Sequence, residues 1–269
     1  MLMLNMKKNK MKKIIIVLCI LFPLMSISQK RFQCKVKYDW KASSENFKNE
    51  VINDPKMDIK MRFFLEERMK KMFNKTFLLQ IDNDYSRYDE EILASINDVA
   101  PDLSGIYPDI SYYRDLKEKK IIIQREFNGK NFFIKDSLSS FNWILVNETK
   151  IIGDYLCYKA KTKVKIANEE NDSISNKQST NFFKEKDQEF EIVAWYCLDI
   201  PICQGPSSFW GLPGLILEIY DNNYSIRCSE LIINPKKKIK IIFPKKNKLI
   251  SKNLYDKLVL KKNKELENE

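Results

Sequence analysis

Short runs in which apolar and polar residues alternate recur along this chain, and they constrain the fold most. From Phe32 to Trp40 every second residue is apolar, and the residues between are polar or charged. A strand whose side chains point alternately to a core and to solvent has this period of two. With 44% hydrophobic and 12% aromatic residues in 269, the chain has enough apolar material for a packed core, which excludes disordered and collagen-like classes.

A hairpin is predicted at Asn128-Gly129, which separates the apolar segments 120–127 and 130–135. This dipeptide favours a type I′ turn, because both of its residues tolerate positive φ. A two-residue loop there places Ile123 opposite Ile134.

A second hairpin is predicted between segments 215–220 and 224–233, where a turn at 221–223 sets Glu218 opposite Arg227. Just before it, Gly211-Leu212-Pro213-Gly214 fits a type II turn in which Gly214 takes positive φ. Residues 97–113, which contain two prolines and a glycine, read as a loop. Further strands are predicted at 76–81, 85–93, 143–146, 154–166, 189–198 and 239–243.

Two helices are predicted. Asp54-Pro55 offers an N-cap followed by proline at the first helical position, and a methionine-rich apolar stripe then runs from Met57 to Phe73, which we expect to pack on the sheet. Ser251 caps a short C-terminal helix with Leu254 and Leu258 on its inner face. The predicted fold class is therefore mainly β (α+β): a twisted antiparallel sheet with one helix packed on it and a short C-terminal helix. A sheet curved into a half-barrel is one form that this fold can take.

The first 28 residues have the order of a secretory signal peptide. Lysines precede an apolar run from Ile14 to Leu24, and Ser26-Ile27-Ser28 places the cleavage before Gln29. Eleven apolar residues are too few to span a bilayer, and no other segment of the chain is long and apolar enough, so we expect no transmembrane segment in the mature chain. We expect 29–269 to form a single domain with a polar insertion at about 167–187.

Charge and composition narrow the function further. The C-terminal end, about 235–269, holds 12 lysines and four acidic residues, which we interpret as a solvated basic end. The chain has only seven arginines and a signal for export, and both argue against nucleic acid as a partner. The chain has no histidine, so neither imidazole catalysis nor a histidine metal site is open to it, and no cofactor is predicted.

Five cysteines follow the signal, and an oxidising compartment would favour up to two disulfides among them with one thiol left over. Their spacing lacks a C-x-x-C pair, which argues against zinc and iron–sulfur sites. The pairing stays open, and all five are disulfide candidates: Cys34, Cys157, Cys197, Cys203 and Cys228.

The signature of the GLPGLI family (Porph_ging), secreted proteins of unknown function found mainly in Bacteroidota, is similar to residues 194–219, which read AWYCLDIPICQGPSSFWGLPGLILEI. The similarity extends to 147–160, 83–88 and 244–251, whereas 167–187 and Cys197 depart from the family pattern. The residues that match the motif are Pro201, Gly205, Pro206, Gly211, Leu212, Pro213, Gly214, Leu215 and Ile216. The resemblance implies export to the periplasm or cell surface of a Gram-negative bacterium and a β-rich fold, but no catalytic residue. We interpret the motif as structural.

Three functions remain open. The first and favoured one is a non-enzymatic envelope protein that binds a partner protein, a peptide or an apolar ligand. The second is a histidine-free hydrolase with paired carboxylates drawn from Asp82, Asp84, Asp89, Glu90 and Glu91. The third is a thiol-redox or metal-handling role for the odd cysteine, which needs an accessible thiol of low pKa.

Overall fold

A computed structural model describes residues 31–43, 57–91, 110–165 and 189–267 of the chain. The predicted signal peptide and polar insertion lie outside these residues. The described strands are β1 (Gln33–Ala42), β2 (Asn74–Asp82), β3 (Tyr85–Glu90), β4 (Ser111–Asp115), β5 (Lys120–Phe127), β6 (Lys130–Ser137), β7 (Ile144–Ile152), β8 (Tyr155–Lys165), β9 (Glu189–Cys197), β10 (Leu215–Tyr220), β11 (Tyr224–Ile233) and β12 (Leu249–Ser251). The described helices are α1 (Ile59–Phe73) and α2 (Lys252–Glu267).

All twelve strands belong to one open sheet in the order β12-β6-β5-β4-β3-β2-β1-β11-β10-β9-β8-β7. The N-terminal strand β1 sits at the centre and joins two meanders, one formed by β2 to β6 and the other by β7 to β11. Every neighbouring pair is antiparallel except β12 and β6, which are parallel. The mainly β prediction is confirmed, and the sheet is not closed into a barrel.

Both predicted hairpins have the expected register. Ile123 lies opposite Ile134, and φ is positive at both Asn128 and Gly129 (52° and 73°). Glu218 lies opposite Arg227. In β1 the alternation is also confirmed, because Cys34, Val36 and Tyr38 are fully buried.

Three predictions were wrong: the strand at 239–243, the end of the loop 97–113 and the end of the strand predicted at 143–146. Segment 239–243 is not a strand: the side chain of Gln33 donates from Nε2 to the Ile239 carbonyl (2.7 Å) and accepts from its N–H through Oε1 (3.0 Å). One side-chain amide thus satisfies the backbone groups that a neighbouring strand would have paired. The predicted loop 97–113 ends earlier, since Ser111 already belongs to β4, and its residues 97–109 lie outside the described part. Strand β7 runs to Ile152 rather than to Val146.

The helices differ from expectation in how they are buried. Asp58 caps α1 by accepting from the N–H groups of Lys60 and Met61. The predicted cap at Asp54-Pro55 lies outside the described residues. Only the end of α1 packs on the sheet, where Met69 is buried; Ile59, Met61, Phe63 and Phe64 are exposed. Ser251 does cap α2, through a 3.3 Å bond from the Leu254 N–H.

The buried face of α2 is formed by Tyr255 and Val259, which contact Ile134 of β6. Leu254 and Leu258, predicted on that inner face, are exposed. Tyr255 lies four residues after the capping Ser251, and its ring meets that of Phe132 edge-on, with the ring centroids 5.3 Å apart. The larger aromatic contact therefore sets the rotation of this helix. No helix in the described ranges has the length and apolar character needed to cross a membrane.

Candidate functional site

The segment between β9 and β10, residues 199–214, carries most of the family motif and is here called the motif loop. It crosses one face of the sheet, where Phe209 and Leu212 pack in a core with Ala160, Ala194 and Ile219. We call this face the motif face. Among the motif residues, those exposed are Pro201, Gly211 and Pro213, and those buried are Gly205, Pro206, Leu212, Gly214, Leu215 and Ile216.

Arg114 of β4 is fully buried beneath the motif loop. Its guanidinium donates from Nη1 to the carbonyl of Phe209 (2.9 Å) and from Nη2 to the carbonyls of Gly205 and Ser207 (2.7 Å each). Three carbonyls of one loop thus converge on one cation. Bonds to a charged donor are among the stronger ones in proteins, so Arg114 fastens this loop to the sheet.

Burial lowers the pKa of Arg114 to about 10, and the nearby phenols of Tyr38, Tyr88 and Tyr112 act in the opposite direction. Burial likewise raises the pKa values of Tyr38 and Tyr88 above their ordinary range. The cation is therefore enclosed by neutral groups and shielded from solvent, which suits an internal clamp rather than a contact with a dissolved ligand.

Two further buried bonds tie the motif region to the sheet. Ser86 donates to Oε1 of Gln204 at 2.9 Å, and the hydroxyl of Tyr38 donates to the Ile216 carbonyl at 2.6 Å. Within the described part of the chain, Arg114 Nε and Gln204 Nε2 are buried donors without an acceptor. Several buried hydrogen bonds thus hold the motif region to the sheet, and two buried N–H groups there have no acceptor.

Indole groups close the outer side of the motif loop. Trp143 donates through Nε1 to the Trp210 carbonyl (2.9 Å), and Trp210 donates to the Ser139 carbonyl (2.7 Å). The ring of Phe141 lies 5.2 Å from that of Phe209. The loop is therefore held from both sides, by β4 below and by residues 139–143 above.

The glycines of the motif act differently from the prediction. Positive φ occurs at Gly211 (96°), not at Gly214, so the predicted type II turn with Gly214 at its third position is wrong. Gly214 is needed because a Cβ there would overlap the backbone carbonyl of Cys197. At Gly205 a Cβ would lie 2.8 Å from Cδ1 of Ile216. Gly214 is therefore required by the close approach of the Cys197 backbone, and Gly205 by the packing of the Ile216 side chain.

Sequence reasoning missed Arg114 altogether. It lies one residue beyond the predicted loop 97–113, and a lone arginine after two tyrosines carries no local mark of burial. Its role depends on a loop 90 residues further along the chain, so only the tertiary structure could reveal it.

The carboxylates proposed for a hydrolase do not converge. Glu90 pairs with Lys75 (2.6 Å) and Glu91 with Lys37 (2.9 Å), while Asp89 pairs with Arg87 at 3.2 Å. Asp82 is buried and accepts from Gln33, and Asp84 is exposed. Burial raises the pKa of Asp89, Arg87 lowers it, and the nearby carboxylate of Glu91 raises it. Four of these five carboxylates have different partners, so the contacts do not assemble the acid–base pair that the hypothesis needs.

The five cysteines are all free thiols in the structure, which forms none of the disulfides predicted for them. Burial raises the pKa values of Cys34 and Cys157 to about 12 and that of Cys228 to about 11, and it also raises the pKa of Cys197. Those four thiols are thus less readily deprotonated than an ordinary cysteine, whereas a reactive thiol needs a lowered pKa. Cys203 is exposed. No cluster of acidic or cysteine side chains suited to a metal occurs in the residues described here.

A second region stands out at the edge of the sheet. Strand β7 is nine residues long and, among the described strands, pairs on one side only, with β8. Its exposed residues include Ile144, Leu145 and Ile151, at 68%, 60% and 71% exposure. Leu145 lies opposite Ala160, and Ile151 opposite Leu156. Both therefore project on the motif face, beside the exposed Leu156.

The fold and these two regions define a mainly β, open-sheet protein. Its described residues hold the motif loop by internal hydrogen bonds and leave the outer edge of β7 without a neighbouring strand. Residues 143–218, from the residue before β7 into β10, match the family model described as "Protein of unknown function (Porph_ging)". This match confirms the resemblance seen in the motif residues.

No curated protein matches the chain. Among solved structures it is similar to PNGF-II in two crystal forms, with 16% identity and a TM-score of 0.48 in each case. The alignments cover 85% and 84% of this chain but 32% and 33% of the PNGF-II chains. The protein thus spans about a third of the length of the solved chains that it matches.

Proposed function

We propose that this protein is an exported, non-enzymatic binding module of the bacterial envelope that accepts an extended segment of a partner protein as an additional strand at β7. The observation that carries the proposal is the bare edge of β7 with its exposed apolar side chains. A free edge strand offers unpaired N–H and C=O groups, and an added strand satisfies them.

The opposite edge of the sheet gives a measure of how unusual β7 is. Strand β12 has three residues and runs directly into α2, which packs on β6. Natural sheets commonly protect an edge in this way, with a very short strand and a covering helix. At β7 neither of these two devices is present among the described residues. A bulge at Asn147 and Glu148 interrupts the strand, and the segments on either side of it expose leucine and isoleucine.

The side chains at this edge favour an extended apolar segment over a charged one. The lysines beside β7 already have acidic partners: Lys159 lies 2.7 Å from Glu148, and Lys150 lies 2.7 Å from Glu218. The large exposed side chains on the motif face are Leu145, Ile151 and Leu156. The exposed Thr149, opposite Tyr158, lies among them. A partner strand with apolar residues at alternate positions complements it.

Export supports the choice of partner class, because the N-terminal signal directs the chain to the periplasm or cell surface. Mass spectrometry of the protein isolated from the envelope checks this part directly. A chain beginning at Gln29 is expected, and a chain that retains Met1 in the cytoplasm would contradict it.

The binding experiment uses a photo-crosslinking amino acid placed at Asn147 in β7 and, as the control, at the exposed Leu258 of α2. In growing cells we expect adducts with a second polypeptide from Asn147 only. The double substitution Leu145→Lys and Ile151→Lys should abolish them, because lysine on an edge strand opposes strand addition. Leu254→Lys with Leu258→Lys, at similarly exposed leucines, should leave them intact. Adducts that survive the β7 substitutions would overturn the proposal.

A further inference from the structure

We infer that the strand that fits β7 is β7 of a second copy of this chain, so that two twelve-stranded sheets join edge to edge about a two-fold axis. This inference rests on the proposed function, since it names the partner for the same edge. It follows from the arrangement of apolar residues along β7 and from the face on which each one lies.

The exposed apolar residues that β7 presents on the motif face are placed symmetrically about Glu148. Leu145 comes three residues before it and Ile151 three residues after it. In an antiparallel pair with its two-fold axis at Glu148, Leu145 lies opposite Ile151 of the second copy, and the contact occurs twice. Directly opposite residues must project on the same face of a sheet, and these two do.

Pairing in this register buries the surface that is exposed in the single chain. On the motif face Leu156, Ile151 and Leu145 of the second copy form one continuous apolar row across the junction, and the two-fold axis repeats it. Each of the three is at least 45% exposed in the single chain. The row thus covers six large apolar side chains that otherwise face water.

The irregular centre of β7 falls on the symmetry axis. Val146 pairs with Lys159 and Thr149 with Tyr158, so β7 has two extra residues, Asn147 and Glu148, relative to β8. Because two residues were added, the strand on either side keeps the same alternation, and the flanks of both copies stay in register.

Charge on the opposite face is balanced within each copy. The axis places Glu148 opposite Glu148 of the second copy, a like-charge pair that opposes association. Each of these carboxylates carries its own cation, however, because Lys159 Nζ lies 2.7 Å from Oε2 of Glu148. Two ion pairs, rather than two unpaired carboxylates, therefore lie opposite each other at the junction.

Sedimentation equilibrium of the purified protein tests this inference. We expect a dimer Kd of about 10 μM, so that the protein is mostly dimeric at about 100 μM and dissociates on dilution. Leu145→Lys with Ile151→Lys should raise the dimer Kd at least tenfold. The matched pair Leu254→Lys with Leu258→Lys should change the dimer Kd by less than twofold. Circular dichroism should show that both double variants are folded.

The outcomes separate this inference from the proposed function. A monomer at every concentration, together with Asn147 adducts to a different polypeptide, overturns the self-pairing and leaves strand addition standing. A monomer without any Asn147 adduct overturns both. A dimer that persists in the β7 variant, or is lost in the α2 variant, places the contact elsewhere and overturns the self-pairing.

Discussion

The motif loop and the β7 edge both lie within residues 143–218, the part of the chain that matches the family model, yet they use their residues in opposite ways. In the motif loop the buried glycines and Phe209 pack inward, and the loop carbonyls accept hydrogen bonds from Arg114 of β4. In β7 a less conspicuous sequence leaves backbone edge and apolar side chains open. The strongest sequence motif therefore marks what holds the fold, and the open contacts lie beside it.

This difference predicts two kinds of effect. Substitutions in the motif loop should change the stability of the fold, and substitutions at β7 should change association. The four predictions below test that division, beginning with the largest effect.

Replacing Arg114 should destabilise the protein most. Arg114→Met removes the donor for three buried loop carbonyls, and leaving such acceptors unpaired should lower the free energy of unfolding by about 4 kcal/mol. Urea denaturation measures this. The control Arg227→Met alters an arginine whose side chain is 62% exposed and should cost less than about 1 kcal/mol. A loss below about 1 kcal/mol in Arg114→Met would show that Arg114 does not hold the loop.

A methyl group at Gly214 should be the next most damaging change. Gly214→Ala forces the loop away from the Cys197 carbonyl and should cost about 2–3 kcal/mol. The same shift should expose the buried Cys197 thiol, so native labelling with a maleimide should accelerate at that residue. Pro213→Ala, at the exposed neighbouring position, serves as the control. If Gly214→Ala left both stability and labelling unchanged, the close backbone approach would not matter.

Lysines at the edge should have the reverse effect. Leu145→Lys with Ile151→Lys changes residues that are largely exposed, so the free energy of unfolding should shift by less than about 0.5 kcal/mol. Association through β7 should nevertheless weaken at least tenfold, which is about 1.4 kcal/mol. Measuring both quantities on one preparation checks the division between the regions. Unfolding of this variant at much lower urea would mean that β7 is part of the core.

The smallest effect is expected at the symmetry axis. Glu148→Gln removes the like-charge opposition and should strengthen self-association by about 0.5 kcal/mol, or roughly twofold. Sedimentation at low salt is the appropriate measurement, because salt screens this effect. Glu191→Gln is the matched control, since Glu191 forms a similar ion pair with Lys161 (2.8 Å) away from the edge. Equal responses in the two variants would contradict an axis at Glu148.

The sequence predicted most strands and both hairpins because those depend on local patterns: alternation in β1 and turn chemistry at Asn128-Gly129. It failed where a residue's role depends on distant chain. Arg114 is buried by a loop far along the sequence, and Gly214 is required by a carbonyl on β9. Leu254 was assigned inward because helical spacing cannot tell which of two adjacent apolar stripes meets the sheet.

The bare edge itself was not predictable either. Sequence gives a strand near 143–146, but the position of that strand at the end of the sheet follows from the order of all twelve strands. Whether Leu145 and Ile151 face a neighbour or solvent is a property of that order, and alternation alone does not determine it.

Backbone hydrogen exchange, followed by mass spectrometry on dilute and on concentrated protein, tests the central claim most directly. We predict that exchange across residues 144–152 slows as the protein associates, since an added strand occupies the free N–H groups of β7, while exchange across 249–251 and the motif loop stays the same. If the amides of β7 exchange equally fast in both samples while protection appears elsewhere, β7 is not the docking edge.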